Sequence, residues 1–245
     1  AIQINIIIGT NIASQEPGAV SWLMNADQLY QLPLAVIGIA LGAVLLPMLS
    51  RRVKEGDETG ANHALNRAVE LSSFLTLPAA AALVLMAAPL CDALFRGVAT
   101  DALQLFGGRE SRFTEHDVAM TGAALAIYGA GLPAFVWHKV FSPAYFARED
   151  TRTPMNNALL AIAINIVVAL ALFPFIGFVA VAIATSLAAW VQVALLAFSL
   201  HKRGQFKPDK RLAGRGPRML LATAALGAFT WFSLQHTEAM AQYLL

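Results

Sequence analysis

Apolar runs long enough to cross a bilayer recur along this chain, at roughly 21–49, 70–94, 118–141, 155–173, 178–200 and 219–234. A helix needs about 20 such residues to span the hydrocarbon. A shorter run at 1–14 precedes them, and 235–245 approaches another. Inside a membrane each backbone N–H and C=O must find its partner within the protein, and a helix does this within its own segment. The class that follows is an all-α, polytopic membrane helix bundle. The charge content agrees, since 13% of the residues are charged where a soluble domain carries about 25%. The first residues, "AIQINIIIGTNIAS", show neither a basic flank nor a cleavage site. They read as a piece of a longer protein that begins in mid-helix.

Punctuation within the runs predicts kinked helices. The run 21–49 holds Pro33, Gly38, Gly42 and Pro47 and is expected to bend or break. Pro78, Pro89 and Pro133 predict further kinks. Small residues are dense: "GIALG" at 38–42 is a Gly-x-x-x-Gly pattern, and "AIYGAGLPA" is of the same kind. Such surfaces let helices approach closely. Basic residues collect in three loops, namely Arg51, Arg52, Lys54 and Arg67, then Arg148 and Arg152, then seven Lys and Arg within 201–218. Two crossings separate each of these loops from the next, so all three fall on one side. The opposite loops hold Arg96, Arg109 and Arg112, diluted by Asp101, Glu110, Glu115 and Asp117. The positive-inside rule then places the three basic loops in the cytoplasm. In "AREDTRTP", Thr153 is expected as the helix N-cap with Pro154 at the first helical position, and Asp150 suits the positive end of the helix dipole.

No catalytic motif is present: no Gly-x-Ser-x-Gly elbow, no His-Glu-x-x-His and no phosphate-cradling loop. The single cysteine, Cys91, excludes an internal disulfide or a cysteine-built zinc site. The histidines show no metal-ligand spacing, and Lys139, beside His138 near a helix end, is placed to snorkel. Polar residues inside the spans are therefore the leads, because they tend to face a bundle interior or an aqueous cavity. The stretch "SWLMNADQLYQLP" offers Asn25, Asp27, Gln28 and Gln31, with Asp27 and Gln31 on one helix face. Two readings stand side by side. The stretch either lines a cavity or is an interfacial helix start with Trp22 and Tyr30 in an aromatic belt. Asn165 and Thr185 lie in mid-span, where they serve either interhelical hydrogen bonding or ligand binding.

"ADQLYQLPLAVIGIALGAVLLPMLSR" followed by "GLPAFVWHKVFSPAYFAREDTRTPMN", with "NIASQEPGAVSWLMNADQLYQLP" ahead of them, resembles the MurJ/MviN family of bacterial lipid II flippases. The similarity runs through essentially the whole chain. It implies membership of the multidrug/oligosaccharidyl-lipid/polysaccharide exporter superfamily, whose MATE-like fold sets two helical lobes around a cavity. On that pattern 1–200 is the second lobe, 201–218 a basic cytoplasmic loop, and 219–245 helix thirteen with at most the start of fourteen. The first lobe is missing from the sequence. The implied task is transport without bond cleavage, so no enzyme and no cofactor. Lipid II (undecaprenyl-diphosphate-linked) would move across the bacterial inner membrane by alternating access of the lobes. The implied partners are lipid II, membrane lipids and the missing lobe, with no nucleic acid.

By resemblance, Asn25, Asp27, Gln28 and Gln31 belong to the substrate cavity, and Arg148, Asp150, Thr151, Arg152 and Pro154 form the family's cytoplasmic loop motif. Family members commonly place Arg at the position of Gln28 and an acid at that of Gln31. Some hold a sodium ion at positions matched by Asn165, Val181 and Thr185. Here Gly9 and Ala169 stand where its acidic ligands would be, so only a remnant of that site is expected, with no metal assigned. The rival readings are an exporter of another lipid-linked saccharide or a drug, and a membrane assembly subunit without transport.

Overall fold

A computed structural model describes residues 9–98 and 113–244. The expected first span lies largely outside these residues, as do Asp101, Arg109, Glu110 and Arg112. A helical stretch over 9–13 leads into a turn, and α1 (Ala19–Leu34) follows. Pro33 has no N–H to offer the carbonyl four residues back. Just beyond it the hydrogen-bond ladder widens into a π-helical turn, Ala35–Ile39, before α2 (Ala40–Lys54) resumes. The bend expected in this run is therefore a π-bulge, the ordinary way for a helix to absorb one extra residue.

Helix α3 (Glu58–Leu85) starts well before the apolar run at 70, with Asp57 accepting the Gly60 amide at 2.8 Å as its cap. The chain breaks at Met86 and continues as α4 (Ala87–Asp92) and a π turn, Ala93–Val98. Pro89 accounts for the break, since its ring clashes with the carbonyl four residues back. Helical backbone runs on uninterrupted through Pro78 and Pro133. Helix α5 (Glu115–Phe146) opens on a capping box between Thr114 and Asp117. Helices α6 (Arg152–Ile176), α7 (Val179–Lys202) and α8 (Lys210–Leu244) complete the chain.

The loop expected over 201–218 is shorter than that. Lys210 to Arg218 are already helical, because the Asp209 carboxylate caps α8 by accepting the Leu212 amide at 2.7 Å. Hydropathy alone missed these turns, since their arginines look like loop residues.

Helix α5 is the central post, packed on α1, α2, α3, α4 and α7; α6 lies on α7, and α8 docks on α3. One core cluster gathers around Trp22, Tyr30, Leu83, Leu125, Leu132 and Phe178, and a second around Leu49, Leu65, Val140, Tyr145, Leu196 and Phe206. Glycines set the closest approaches. A Cβ on Gly129 would lie 2.9 Å from the Leu83 Cβ, and one on Gly131 would lie 2.7 Å from the Ser186 Oγ. Gly38 rests on the Lys139 side chain, as the "GIALG" pattern anticipated.

Five helical spans among the described residues are long and apolar enough to cross a membrane: Ala19–Lys54, α3, α5, α6 and α7. Their outer faces carry large exposed apolar side chains such as Phe74, Val167, Phe175 and Phe198. Lipid, not water, suits such a surface. No strand occurs among the described residues. The chain is an all-α membrane protein.

The loops sort to two ends. At one end, Arg148 bonds Glu58, Arg203 bonds Asp150 at 2.6 Å, and Asn62 accepts the Lys207 amide at 2.8 Å. At the other, Glu16 accepts the Phe178 amide at 2.9 Å and Trp22 donates to Asp117 at 2.7 Å. The three basic loops thus meet at one end of the bundle, as the count of crossings required.

Candidate functional site

Helix α1 turns Ala19, Trp22, Leu23, Ala26, Leu29 and Tyr30 inward. Its outward side mixes polar and apolar residues: Gln28 and Gln31 are exposed beside Met24 and Leu32, and Asn25 and Asp27 are half-buried. Asp27 and Gln31 do share a face, and the Gln31 amide donates to the Asp27 carboxylate. Asp27 is therefore partnered within its own helix. Trp22 and Tyr30 do not form an aromatic belt. Both are buried, Trp22 against His116 and Phe178 and Tyr30 against Tyr128 and Phe135. Helix periodicity decides this, because residues 22 and 30 fall on the apolar stripe that meets α5.

Lys139 was read from sequence as a snorkelling residue at a helix end. Its side-chain stem lies against Gly38, about two turns along from Gln31, and it is exposed. Glycine at 38 and 42 leaves room for it. His138, its neighbour, lies within 3.4 Å of the Ser142 hydroxyl and 3.2 Å of the Gln192 amide, and so joins α5 to α7.

Asn165, Val181 and Thr185 come together from α6 and α7. The Asn165 amide donates to the Thr185 hydroxyl at 3.1 Å, and that hydroxyl donates to the Val181 carbonyl at 2.9 Å. A Cβ on Gly9 would lie 3.4 Å from Val181, and Ala169 is fully buried. The positions expected for an ion site therefore converge, but their oxygens are neutral, and the Thr185 hydroxyl is already bonded to the Val181 carbonyl. Neither Gly9 nor Ala169 supplies a carboxylate to balance a cation, so these residues do not fit a sodium ion. They fit the other reading, an interhelical hydrogen bond.

The loop motif works as a latch. Arg148 bonds Glu58 at the start of α3 and the Ala144 carbonyl at 2.8 Å. Glu149 takes a left-handed backbone, φ 60°, which turns the chain. Asp150, not Thr153, supplies the cap of α6: its carboxylate accepts the Thr153 amide at 3.0 Å and the Thr153 hydroxyl at 2.7 Å. Thr151 precedes the first helical residue, Arg152, and Pro154 is buried in the first turn. Arg203 at the end of α7 bonds Asp150 and lies 5.8 Å over the Tyr145 ring. The Arg203 guanidinium, then the Thr153 amide, hold the Asp150 carboxyl down at about 2. Arg148 and Asp150 each tie the turn to a different helix, while Glu149, Thr151 and Arg152 are exposed.

Sequence reasoning missed Glu70. It is buried in α3 and paired with Arg67, and with Arg211 and Arg215 of α8. The spacing of Arg67 to Glu70 hinted at one pair, but nothing local links Glu70 to residues about 140 positions on.

The sequence model of one family, described as lipid II flippase MurJ, matches residues 1–244. The chain belongs to the MurJ family. A probable lipid II flippase MurJ of Rhizobium meliloti (strain 1021) is 46% identical over 92% of this chain, which covers 40% of that protein. A solved lipid II flippase MurJ in an inward closed conformation matches 98% of this chain with TM-score 0.70 at 23% identity, over 52% of its own length. An inward-facing MATE family transporter of the MOP superfamily matches 93% with TM-score 0.55 at 19% identity, over 51% of its length. At those identities the likeness to the solved structures is one of fold, and it is the MATE-like fold expected. The chain spans about 40% of the length of the curated MurJ relatives it matches.

Proposed function

We propose that the protein containing this chain flips lipid II from the cytoplasmic to the periplasmic leaflet of the bacterial inner membrane, and that this chain supplies the second lobe with helix thirteen. The observation that carries the reading is the polar side of α1. Gln28 and Gln31 are exposed, and Asn25 half-buried, on a membrane helix. Facing hydrocarbon they would be costly, whereas facing a hydrated cavity they are solvated. The family named for lipid II flipping supplies the second half of that cavity as a missing lobe. The diphosphate and sugars of the substrate need such a cavity, while its polyprenyl tail is at home in lipid. Lys139 offers this wall a cation for the diphosphate, and the amides offer hydrogen bonds. Transport breaks no bond, so the reading includes no enzymatic step. The basic loops around Arg51, Arg148 and Arg203 then lie in the cytoplasm.

The test is complementation. The full-length gene should restore growth to bacteria depleted of their lipid II flippase. A variant with Asn25, Gln28 and Gln31 all changed to Leu should fail at equal membrane abundance. Normal growth of that variant would sink the cavity wall. Failure of the unaltered gene would point to another lipid-linked saccharide.

A further inference from the structure

Side chains four residues apart on a helix lie one above the other, so chemistry repeated at that spacing is offered again one turn along. The start of α3 repeats itself in this way. "NHAL" at 62–65 is followed by "NRAV" at 66–69, and Glu70 comes next. Asn62 and Asn66 therefore form one short column, and His63 and Arg67 another. Helix α8 answers with Arg211, Arg215 and Arg218, all on the side that meets α3.

The structure holds one register of this pair. Asn66 accepts the Asp209 amide at 3.1 Å, and Asn62 accepts the Lys207 amide at 2.8 Å. Arg67 pairs with Asp209, and the buried Glu70 pairs with Arg215 and, at 3.5 Å, with Arg211. Two groups are left beside these pairs. Arg218 has no carboxylate partner among the described residues, and the exposed His63 stands 3.7 Å from Asp209.

The helices run parallel, since Arg215 meets Glu70 and Gly227 meets Leu85. A slide of α8 by one turn, about 5.4 Å, toward the end where the basic loops gather gives each leftover group a partner. The Asp209 amide reaches Asn62 and its carboxylate reaches His63. Glu70 exchanges Arg211 and Arg215 for Arg215 and Arg218. A slide the other way drives Asp209 toward Glu70, acid against acid. Charge thus fixes the direction. Packing leaves the movement open, because no residue of α8 from 210 to 233 is buried. A Cβ on Gly214 or Gly216 would meet nothing within 4 Å. Gly227, whose added Cβ would lie 3.2 Å from Leu85, must part from it, because the slide brings Trp231 opposite Leu85.

We propose that α8 is a two-position element that ratchets by one turn along α3, with Glu70 as its pawl. Between the two registers the charged groups are unpaired, so the helix occupies one or the other and no position between them. One-turn jumps of this kind are an established form of switching in packed helices. The device lets the last described helix move against the bundle while both core clusters stay packed, whatever molecule the protein carries.

The experiment uses the full-length protein in membranes, with its own cysteines, Cys91 among them, replaced by alanine. Leu85→Cys with Gly227→Cys reports the present register, and Leu85→Cys with Trp231→Cys reports the shifted one. Disulfide formation with copper phenanthroline is timed for each pair, and the first should close faster. Arg211→Gln removes a partner from the present register alone. It should raise the rate of the 85–231 pair relative to the 85–227 pair about threefold, the size of one partly screened ion pair. Arg218→Gln removes a partner from the shifted register alone and should lower that ratio by about as much. His63→Ala should lower it too, and stands in for Arg218→Gln if that variant fails to fold. An unchanged ratio in a folded variant, or a change of the same sign in Arg211→Gln and Arg218→Gln, overturns the proposal. So does the absence of any 85–231 disulfide in Arg211→Gln while the 85–227 pair still closes, since α8 is then docked in one position only.

Discussion

The Asp150 carboxylate accepts from the Thr153 amide at 3.0 Å and from Arg203 at 2.6 Å, so a single side chain caps α6 and ties it to the end of α7. The pair with Arg203 requires the ionised acid and the amide bond favours it, which is why its carboxyl sits at about 2 in place of the ordinary 3.8. A depressed folded value means stability that is present above pH 3.8 and is lost as the pH falls toward about 2. Asp150→Asn keeps the cap but loses the ion pair. The variant should melt below the unaltered protein at pH 6, by a few degrees or less because the pair is partly screened. The gap should close as the pH falls from about 4 toward about 2. Thermal melts of the full-length protein in detergent measure it, and a gap undiminished at pH 2.5 would remove the ion pair as its cause. At the same scale, Gly177 shows how one residue answers two demands. It holds φ 58°, and a Cβ there would lie 2.7 Å from the Glu16 Oε2. That carboxylate accepts the Phe178 amide at the start of α7, so the glycine leaves it room.

Between elements, glycine spacing governs how closely helices meet, but the glycines are not equal. Gly129 and Gly42 look alike in sequence, each set among apolar small residues. A Cβ on Gly129 would press on the Leu83 Cβ at 2.9 Å, whereas one on Gly42 would meet the Lys139 carbonyl at an ordinary 3.8 Å. Gly129→Ala should therefore destabilise by about 1–3 kcal/mol through overpacking. Gly42→Ala should be neutral or slightly stabilising, because alanine narrows the unfolded ensemble. Urea or thermal unfolding of the two variants side by side checks this, and equal losses would mean that the α3–α5 contact is not the tight one. The prolines make the same point. Pro33 and Pro89 coincide with a π turn and a break, while helical backbone continues through Pro78 and Pro133. Sequence marks where a helix is weakened, and packing decides whether it yields.

For the whole molecule, the gathering of the three basic loops at one end predicts their accessibility. In cells expressing the full-length protein, Cys at Arg51 or Glu149 should be shielded from an impermeant thiol reagent, and Cys at Gln15 should react. The reverse pattern would invert the membrane orientation. The sequence by itself determined the membrane class, the interruptions near Pro33 and Pro89 and the sharing of one end by the basic loops. Each of these depends on local quantities, namely apolar run length, proline and charge counted along the chain. It also placed Asn165, Val181 and Thr185 together, through resemblance, but not the hydrogen bonds that close them. Tertiary structure alone decided that Trp22 is buried on Asp117, 95 residues away, and that Glu70 holds the start of α8, 145 residues away at Arg215. It alone turned Gln28 and Gln31 outward and set Lys139 beside Gly38. A helix carries the same polar residues whichever way it is rotated, and only the neighbours it packs against fix which face is left for water, lipid or a ligand.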